Sequence, residues 1–374
     1  MKVRTDRSTR RRTRAAVVML GCALVVAGPA PTVATALSGS SGPHCRGVEI
    51  PTGLAAGTKP VYRIYGQLCT PQGGARGTIQ VLVHGGTYSH TYWDFPGFHG
   101  RYQYSRFMNR AGFATLAIDL LGVGRSSHPP SAQVTIAAEA YAVHIAIQAA
   151  RHGVLGPSYP RVILVGHSLG TLTNDLEAST YHDEDGFIAT GTSHGPGFTG
   201  LGSIFAKVRP ALLDPETAPQ VPAGDLGYLS TPGARPVFYR GGRVDPRVER
   251  EDENTRQPVA GGYAATLLPY LVDTSLLHTN RIRVPVLLVN GSNDAVFCKQ
   301  GGGGATTECS SAAALKRSEA RYYGRSADLA TYVLAHSGHD INLVPDARRW
   351  YEVALRWCQQ HGFLSHGELS TAQS

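Results

Sequence analysis

Charge is scarce in this chain. Only 17% of its 374 residues are Asp, Glu, Lys or Arg, and they form no basic stripe with interleaved aromatics, so nucleic acid is not an expected partner. No apolar run reaches the roughly 18 residues of a membrane-spanning helix; the longest, residues 15–28, has 14. Neither C-x-x-C nor H-x-x-x-H spacing occurs, so the usual local signatures of a zinc site are missing. There are no internal repeats, which excludes solenoids and propellers. Glycine, by contrast, is plentiful at 44 residues. Such a composition suits a loop-rich, compact globular protein.

The 14-residue apolar run follows a basic stretch of Lys2, Arg4, Arg7, Arg10, Arg11, Arg12 and Arg14, and precedes Ala34-Thr35-Ala36. Basic region, short apolar core and small-residue cleavage site describe a secretory signal, with residues 1–36 removed. The expected location is extracellular, with no stable membrane insertion after cleavage. Arg11-Arg12 hints at twin-arginine export and Cys22 at a lipoprotein site, but Thr13-Arg14 and the continuing apolar run favour plain secretion. Residues 1–36 hold seven Lys/Arg and one Asp out of a full-chain net charge of +8, leaving about +2. The isoelectric point near 9.2 is therefore mostly a property of the leader.

Five cysteines follow the leader: Cys45, Cys69, Cys298, Cys309 and Cys358. Export makes disulfides reasonable. Cys298 and Cys309 bracket a run of four glycines, and a bridge closing about 12 residues is worth roughly 3 kcal/mol by chain entropy. Cys45 with Cys69 is the natural second pair, leaving Cys358 as a buried thiol in a C-terminal helix.

Apolar, β-branched runs at 61–70, 78–83, 114–120, 161–165, 186–192, 284–289 and 329–334 read as strands. Helical patterns at 102–111, 132–151, 171–178 and 346–360 alternate with them. Alternation of this kind argues for a parallel sheet covered on both faces. Residues 195–280 break it, with ten prolines and only short helical patterns.

The strand at 161–165 runs into Gly166-His167-Ser168-Leu169-Gly170, and a helix follows. Strand, G-x-S-x-G, helix is a nucleophile elbow: a turn so sharp that its flanking positions must be glycine, lifting the serine hydroxyl to a helix N-terminus. Three other strands end in polar loops, at His84-Gly85-Gly86, at Asn293-Asp294 and at Gly338-His339. Together with the 119–126 loop, these motifs resemble the α/β-hydrolase superfamily across roughly residues 60–362. The order Ser168, Asp294, His339 matches that family's order of nucleophile, acid and histidine.

The resemblance implies an α/β-hydrolase fold: a mostly parallel sheet flanked by helices, with a helical cap inserted after the sixth core strand. Core segments would be 37–194 and 281–374, and the cap 195–280. It also implies a serine hydrolase that needs neither cofactor nor metal. Ser168 would attack, His339 would be its base, and Asp294 would orient the imidazole. His336 competes with His339, and Asn-Asp is also good turn chemistry for 294. Backbone N–H groups of Gly86 and Leu169 would form the oxyanion hole, with Thr87 as the alternative register. His84, His167 and Asp119 are expected to hydrogen-bond within loops. Tyr88, Trp93, Phe198 and Tyr263 are the expected substrate contacts, within a set of aromatics that equally could pack the loops and the cap.

The expected substrate is a small apolar ester or lactone. An amidase or peptidase shares the triad, and a non-catalytic binding member of the fold is the reading from a different class. Epoxide hydrolases and dehalogenases need a carboxylate where Ser168 stands.

Overall fold

The computed structural model describes residues 43–75 and 77–364. The expected leader, residues 1–36, and its expected cleavage site lie outside them. No helix among the described residues is long and apolar enough to cross a membrane.

An eight-stranded sheet organises the chain, in the order β1-β2-β4-β3-β5-β6-β10-β11. Its strands are β1 (His44–Thr52), β2 (Tyr62–Thr70), β3 (Thr78–Val83), β4 (Ala114–Ile118), β5 (Arg161–His167), β6 (Gly186–Thr190), β10 (Val286–Gly291) and β11 (Ala330–Leu334). β2 runs antiparallel to both β1 and β4, and all other pairings are parallel. The central strands β3, β4 and β10 are buried along their whole length. That is why they read as mostly apolar runs, broken only by Gln80 and Thr115 inside β3 and β4, rather than as alternating patterns.

Alternate residues of these strands feed two cores. Ile79, Val81 and Val83 of β3 pack on one face with α2 (Ile136–Arg151) and α3 (Leu169–Thr180). Leu82 of β3, with Ile163 and Val165 of β5, packs on the other face with α1 (Tyr104–Arg110) and α9 (Ala347–Gln360). Each such Val, Leu or Ile side chain, fully buried, contributes about 1.5–3 kcal/mol. Thr135 caps α2, its hydroxyl accepting from Ala138 N–H, so that helix starts four residues later than the sequence pattern indicates.

Strand β1 is absent from the sequence reading. It is an edge strand with residues such as His44, Arg46 and Glu49 exposed, so it carries no continuous apolar signal. Cys45 lies directly opposite Cys69 in its ladder with β2, and the two form a disulfide. Cys298 and Cys309 form the second, and Cys358 is a free, buried thiol on α9. Helix α8 (Ala312–Glu319), between β10 and β11, was also not read from sequence.

Between β6 and β10 the chain leaves the sheet. It forms α4 (Phe198–Phe205), α5 (Arg235–Phe238), α6 (Pro246–Asn254) and α7 (Gly261–Val272). A small antiparallel sheet joins them, built from β7 (Arg209–Pro210), β8 (Tyr228–Ser230) and β9 (Val259–Ala260). Six strands of the large sheet precede this insertion, β1 supplying the one missing from the sequence pattern.

Candidate active site

The loops that follow β3, β5, β10 and β11 meet over the C-terminal edge of the parallel strands, where ligands of open α/β sheets bind. Ser168 stands between β5 and α3 with φ 53° and ψ −122°, a region that side-chain-bearing residues rarely adopt. Its N–H donates to the Thr190 carbonyl at 2.9 Å, and its own carbonyl accepts from Leu172 N–H. The flanking glycines have steric reasons. A methyl group on Gly170 would lie 2.3 Å from the His84 carbonyl oxygen, and one on Gly166 would lie 2.7 Å from Thr171 Cα.

His339 Nε2 is 2.8 Å from Ser168 Oγ, and His339 Nδ1 is 2.8 Å from Asp294 Oδ2. All three side chains are buried. The second oxygen of Asp294 accepts from Val296 N–H at 2.7 Å and Phe297 N–H at 3.0 Å. An ionised carboxylate only accepts, so it holds the imidazole proton on Nδ1 and leaves Nε2 free to accept from the serine. His336 is exposed, at φ 55°, and makes no such contact. The loop carrying Asp294 closes through Cys298, whose N–H donates to the Asp294 carbonyl and whose sulfur is bonded to Cys309.

Gly86 and Leu169 lie side by side. A methyl on Gly86 would come 2.7 Å from Leu169 Cδ2, and both residues line the same cavity as Ser168. Neither backbone N–H donates to an acceptor among the described residues. Thr87, the alternative register, sits at φ 64°. Its carbonyl accepts from Arg235 and from Gln257 N–H, and its hydroxyl from Arg235.

The cavity above Ser168 is apolar. Leu201, Ile204 and Phe205 of α4 form one wall, and Leu267 and Leu271 of α7 another. Phe238 and Phe297 stand beside His339, with ring centroids 5.4 and 5.7 Å from the imidazole.

The four expected substrate contacts fare differently. Tyr88 lines this cavity. Tyr263 lines a smaller adjoining one, its hydroxyl donating to the Leu169 carbonyl at 2.9 Å. Trp93 does not reach either: it is fully buried between Tyr92 and Tyr104 in the core beneath. Phe198 begins α4 but points outward, 58% exposed, while the next turns of that helix face the cavity. Aromatic identity alone carried no information about direction.

The loop histidines behave as expected. His84 accepts from Leu120 N–H at 3.1 Å. His167 lies beneath the site, stacked on Tyr92 and bonded to Thr190 Oγ1. Burial, then the neighbouring His339, pushes its pKa well below the usual histidine range, so it stays neutral. Asp119 accepts from His90 and from Arg125 N–H, closing the 119–126 loop on itself.

A buried polar cluster behind the site was not foreseen. Asp340, next to His339, faces Asp252 of α6 across the hydroxyls of Tyr88 and Tyr239. Tyr88 OH lies 3.1 Å from Asp252 Oδ2 and 3.0 Å from Asp340 Oδ2. Tyr239 OH lies 2.7 and 3.1 Å from the same two atoms. Arg235 forms an ion pair with Asp252 at 2.9 Å and places its guanidinium over the Tyr88 ring. Burial pushes both carboxyls upward, opposed at Asp252 by Arg235 and at Asp340 first by the Tyr88 hydrogen bond. Only the adjacency of Asp340 to His339 was visible in sequence.

A model of the alpha/beta hydrolase family matches residues 80–349. No curated protein sequence matches the chain. Among solved structures, the alpha/beta hydrolase GrgF of Penicillium sp. sh18 is similar at 13% identity and TM-score 0.57, covering 85% of this chain and 99% of its own. A soluble variant of monoglyceride lipase from Saccharomyces cerevisiae is similar at 15% identity and TM-score 0.57, covering 84% and 96%. The esterase EaEST of Exiguobacterium antarcticum is similar at 14% identity and TM-score 0.56, covering 84% and 100%.

Proposed function

Because this chain belongs to the alpha/beta hydrolase family, we propose that it is a secreted serine hydrolase that cleaves carboxylic esters or lactones of small apolar molecules through an acyl-enzyme. The observation that carries this is the hydrogen-bonded line Asp294–His339–Ser168, opening into a cavity walled by aliphatic and aromatic side chains.

Ser168 Oγ gives its proton to His339 Nε2 as it attacks the ester carbonyl, and Asp294 stabilises the imidazolium that results. The negative charge developing on the carbonyl oxygen is met by the Gly86 and Leu169 N–H groups, the latter at the positive end of α3. His339 then returns the proton to the leaving alcohol. Water, activated by the same imidazole, releases the acid. The walls from α4 and α7 offer nothing to a charged substrate, which supports an apolar acyl or alkyl group. The two disulfides are compatible with export.

The test has two arms. A fluorophosphonate probe should label the wild-type protein on Ser168 and leave Ser168→Ala unlabelled. Hydrolysis of a graded series of p-nitrophenyl esters should fall by about 10⁴-fold or more in that variant, its fold intact by circular dichroism. Absence of labelling, or a variant keeping a tenth of wild-type kcat, removes Ser168 from the nucleophile role.

A further inference from the structure

Behind the sheet, remote from the apolar cavity, three chemically suited side chains converge. His144 comes from α2, Glu177 from α3 and Asp183 from the turn that follows α3. One donor atom from each lies within 4.8 Å of the others. Glu177 is fully buried, and its carboxyl meets the carboxyl of Asp183 but no N–H donor; Oδ1 of Asp183 has no N–H donor either. Burying an ionised carboxylate in this way is unfavourable unless a cation meets it or it takes up a proton, the direction in which burial and then Asp183 push Glu177. The neighbouring Glu184, also buried and with both oxygens unpartnered, adds to the negative potential.

We propose that His144 Nδ1, Glu177 and Asp183 form a site for one divalent transition cation of the zinc type, with solvent as the fourth ligand. Tetrahedral zinc, with bonds of about 2.0–2.1 Å, sets its ligand atoms about 3.3 Å apart. His144 Nδ1 lies 2.7 Å from Asp183 Oδ2 and 4.0 Å from Glu177 Oε1, so the two distances bracket that spacing. Small side-chain movements of opposite sense reach it. One imidazole with two carboxylates suits zinc better than calcium, which takes six to eight oxygens.

The surroundings are those of an oriented ligand set. The His144 ring stacks on Tyr181, centroids 4.1 Å apart and planes 18° from parallel. Gln148, one turn further along α2, donates to Asp183. Such outer contacts fix the direction of metal ligands. The His144 and Asp183 side chains remain 22% and 12% exposed, which leaves the ion a way in from solvent. The bound ion would clamp α2 to the end of α3, the helix whose other end presents Ser168. The ion would stand apart from the reacting groups, because none of its ligands lines the cavity.

The experiment uses the purified full chain, stripped by chelator and titrated with zinc chloride by calorimetry and thermal unfolding. One equivalent should bind with micromolar affinity or better, and Tm should rise by several degrees. His144→Gln and Glu177→Gln should each weaken zinc binding by about 100-fold and abolish the rise in Tm. Ester hydrolysis by the stripped variants should match the stripped wild type. Should either variant fail to fold, Asp183→Asn, at a partly exposed position, replaces it. No stoichiometric zinc binding, or binding retained in the variants, overturns the site. Tighter binding of calcium than of zinc overturns the cation class.

Discussion

Replacing Arg235 by Met tests how the insertion is joined to the site. Arg235 is 1% exposed and pairs with the equally buried Asp252. It also donates to Thr87 Oγ1 at 2.7 Å and to the Thr87 carbonyl at 2.9 Å. Met retains much of the apolar volume but none of the charge. Asp252 is then left beside Asp340 with no counter-ion, and removing one partner of a buried pair costs about 3–5 kcal/mol. That is a fifth or more of the stability of an ordinary domain. Asp252 can escape the penalty by taking up a proton. Its native carboxyl is already displaced upward, so the native state holds a proton that the unfolded state releases. Stability therefore falls as pH rises above the ordinary carboxylate range near 4, and the loss in Arg235→Met should be larger at pH 8 than at pH 5. Adding Asp252→Asn removes the stranded charge and should restore most of the loss. Urea unfolding of wild type, both single variants and the double variant, at both pH values, gives the coupling energy directly. Freed of its two donors, the Thr87 loop should also shift, lowering kcat by about 10- to 100-fold. A loss below about 1 kcal/mol in the single variant, or a double variant no more stable than Arg235→Met, refutes this account of the cluster.

Glu139 gives a second pH test. Burial pushes its carboxyl up to about 8 while it accepts from Leu121 N–H, so the native protein binds a proton that the unfolded chain gives up between about pH 4.5 and 8. Glu139→Gln should accordingly be more stable than wild type by up to about 3 kcal/mol at pH 7, with the gain vanishing near pH 4; an equal difference at both pH values contradicts the burial argument. Cys298→Ser with Cys309→Ser should cost about 3 kcal/mol and reduce kcat by loosening Asp294, and in native wild type both cysteines should resist alkylation.

Much of the scaffold was legible because its signals are local. Strands β3, β5 and β10 are buried on both faces and are mostly apolar, interrupted within β3 only by Gln80. Ser168 and Asp294 each sit in a short polar loop immediately after such a strand, and His339 follows the partly buried edge strand β11, so strand ends located all three. Strand β1 was invisible because only one side of its far half is buried. The insertion was illegible in detail because its elements are short, irregular and rich in proline. Pairings such as Arg235 with Asp252 join separate helices, and no spacing rule links them. Likewise His144, Glu177 and Asp183 come from two helices and a turn, so a search for H-x-x-x-H spacing passes over them. Trp93 and Phe198 show the complementary limit: the sequence supplied the aromatic ring, while the loop and helix geometry decided which way it faced.

The disulfides have a consequence for how the molecule is made. Both join cysteines that are neighbours in the linear order, Cys45 with Cys69 and Cys298 with Cys309. On the proposed secretion, a chain threaded through a membrane N-terminus first would meet each correct partner as the very next thiol to emerge. Oxidation in order of appearance then yields the native pairs without reshuffling. Cys358 arrives last, after all four are consumed, and is withdrawn into the core by α9. The odd thiol thus has neither a vacant partner nor lasting exposure, and production of the protein should depend on a disulfide-forming oxidant but not on an isomerase.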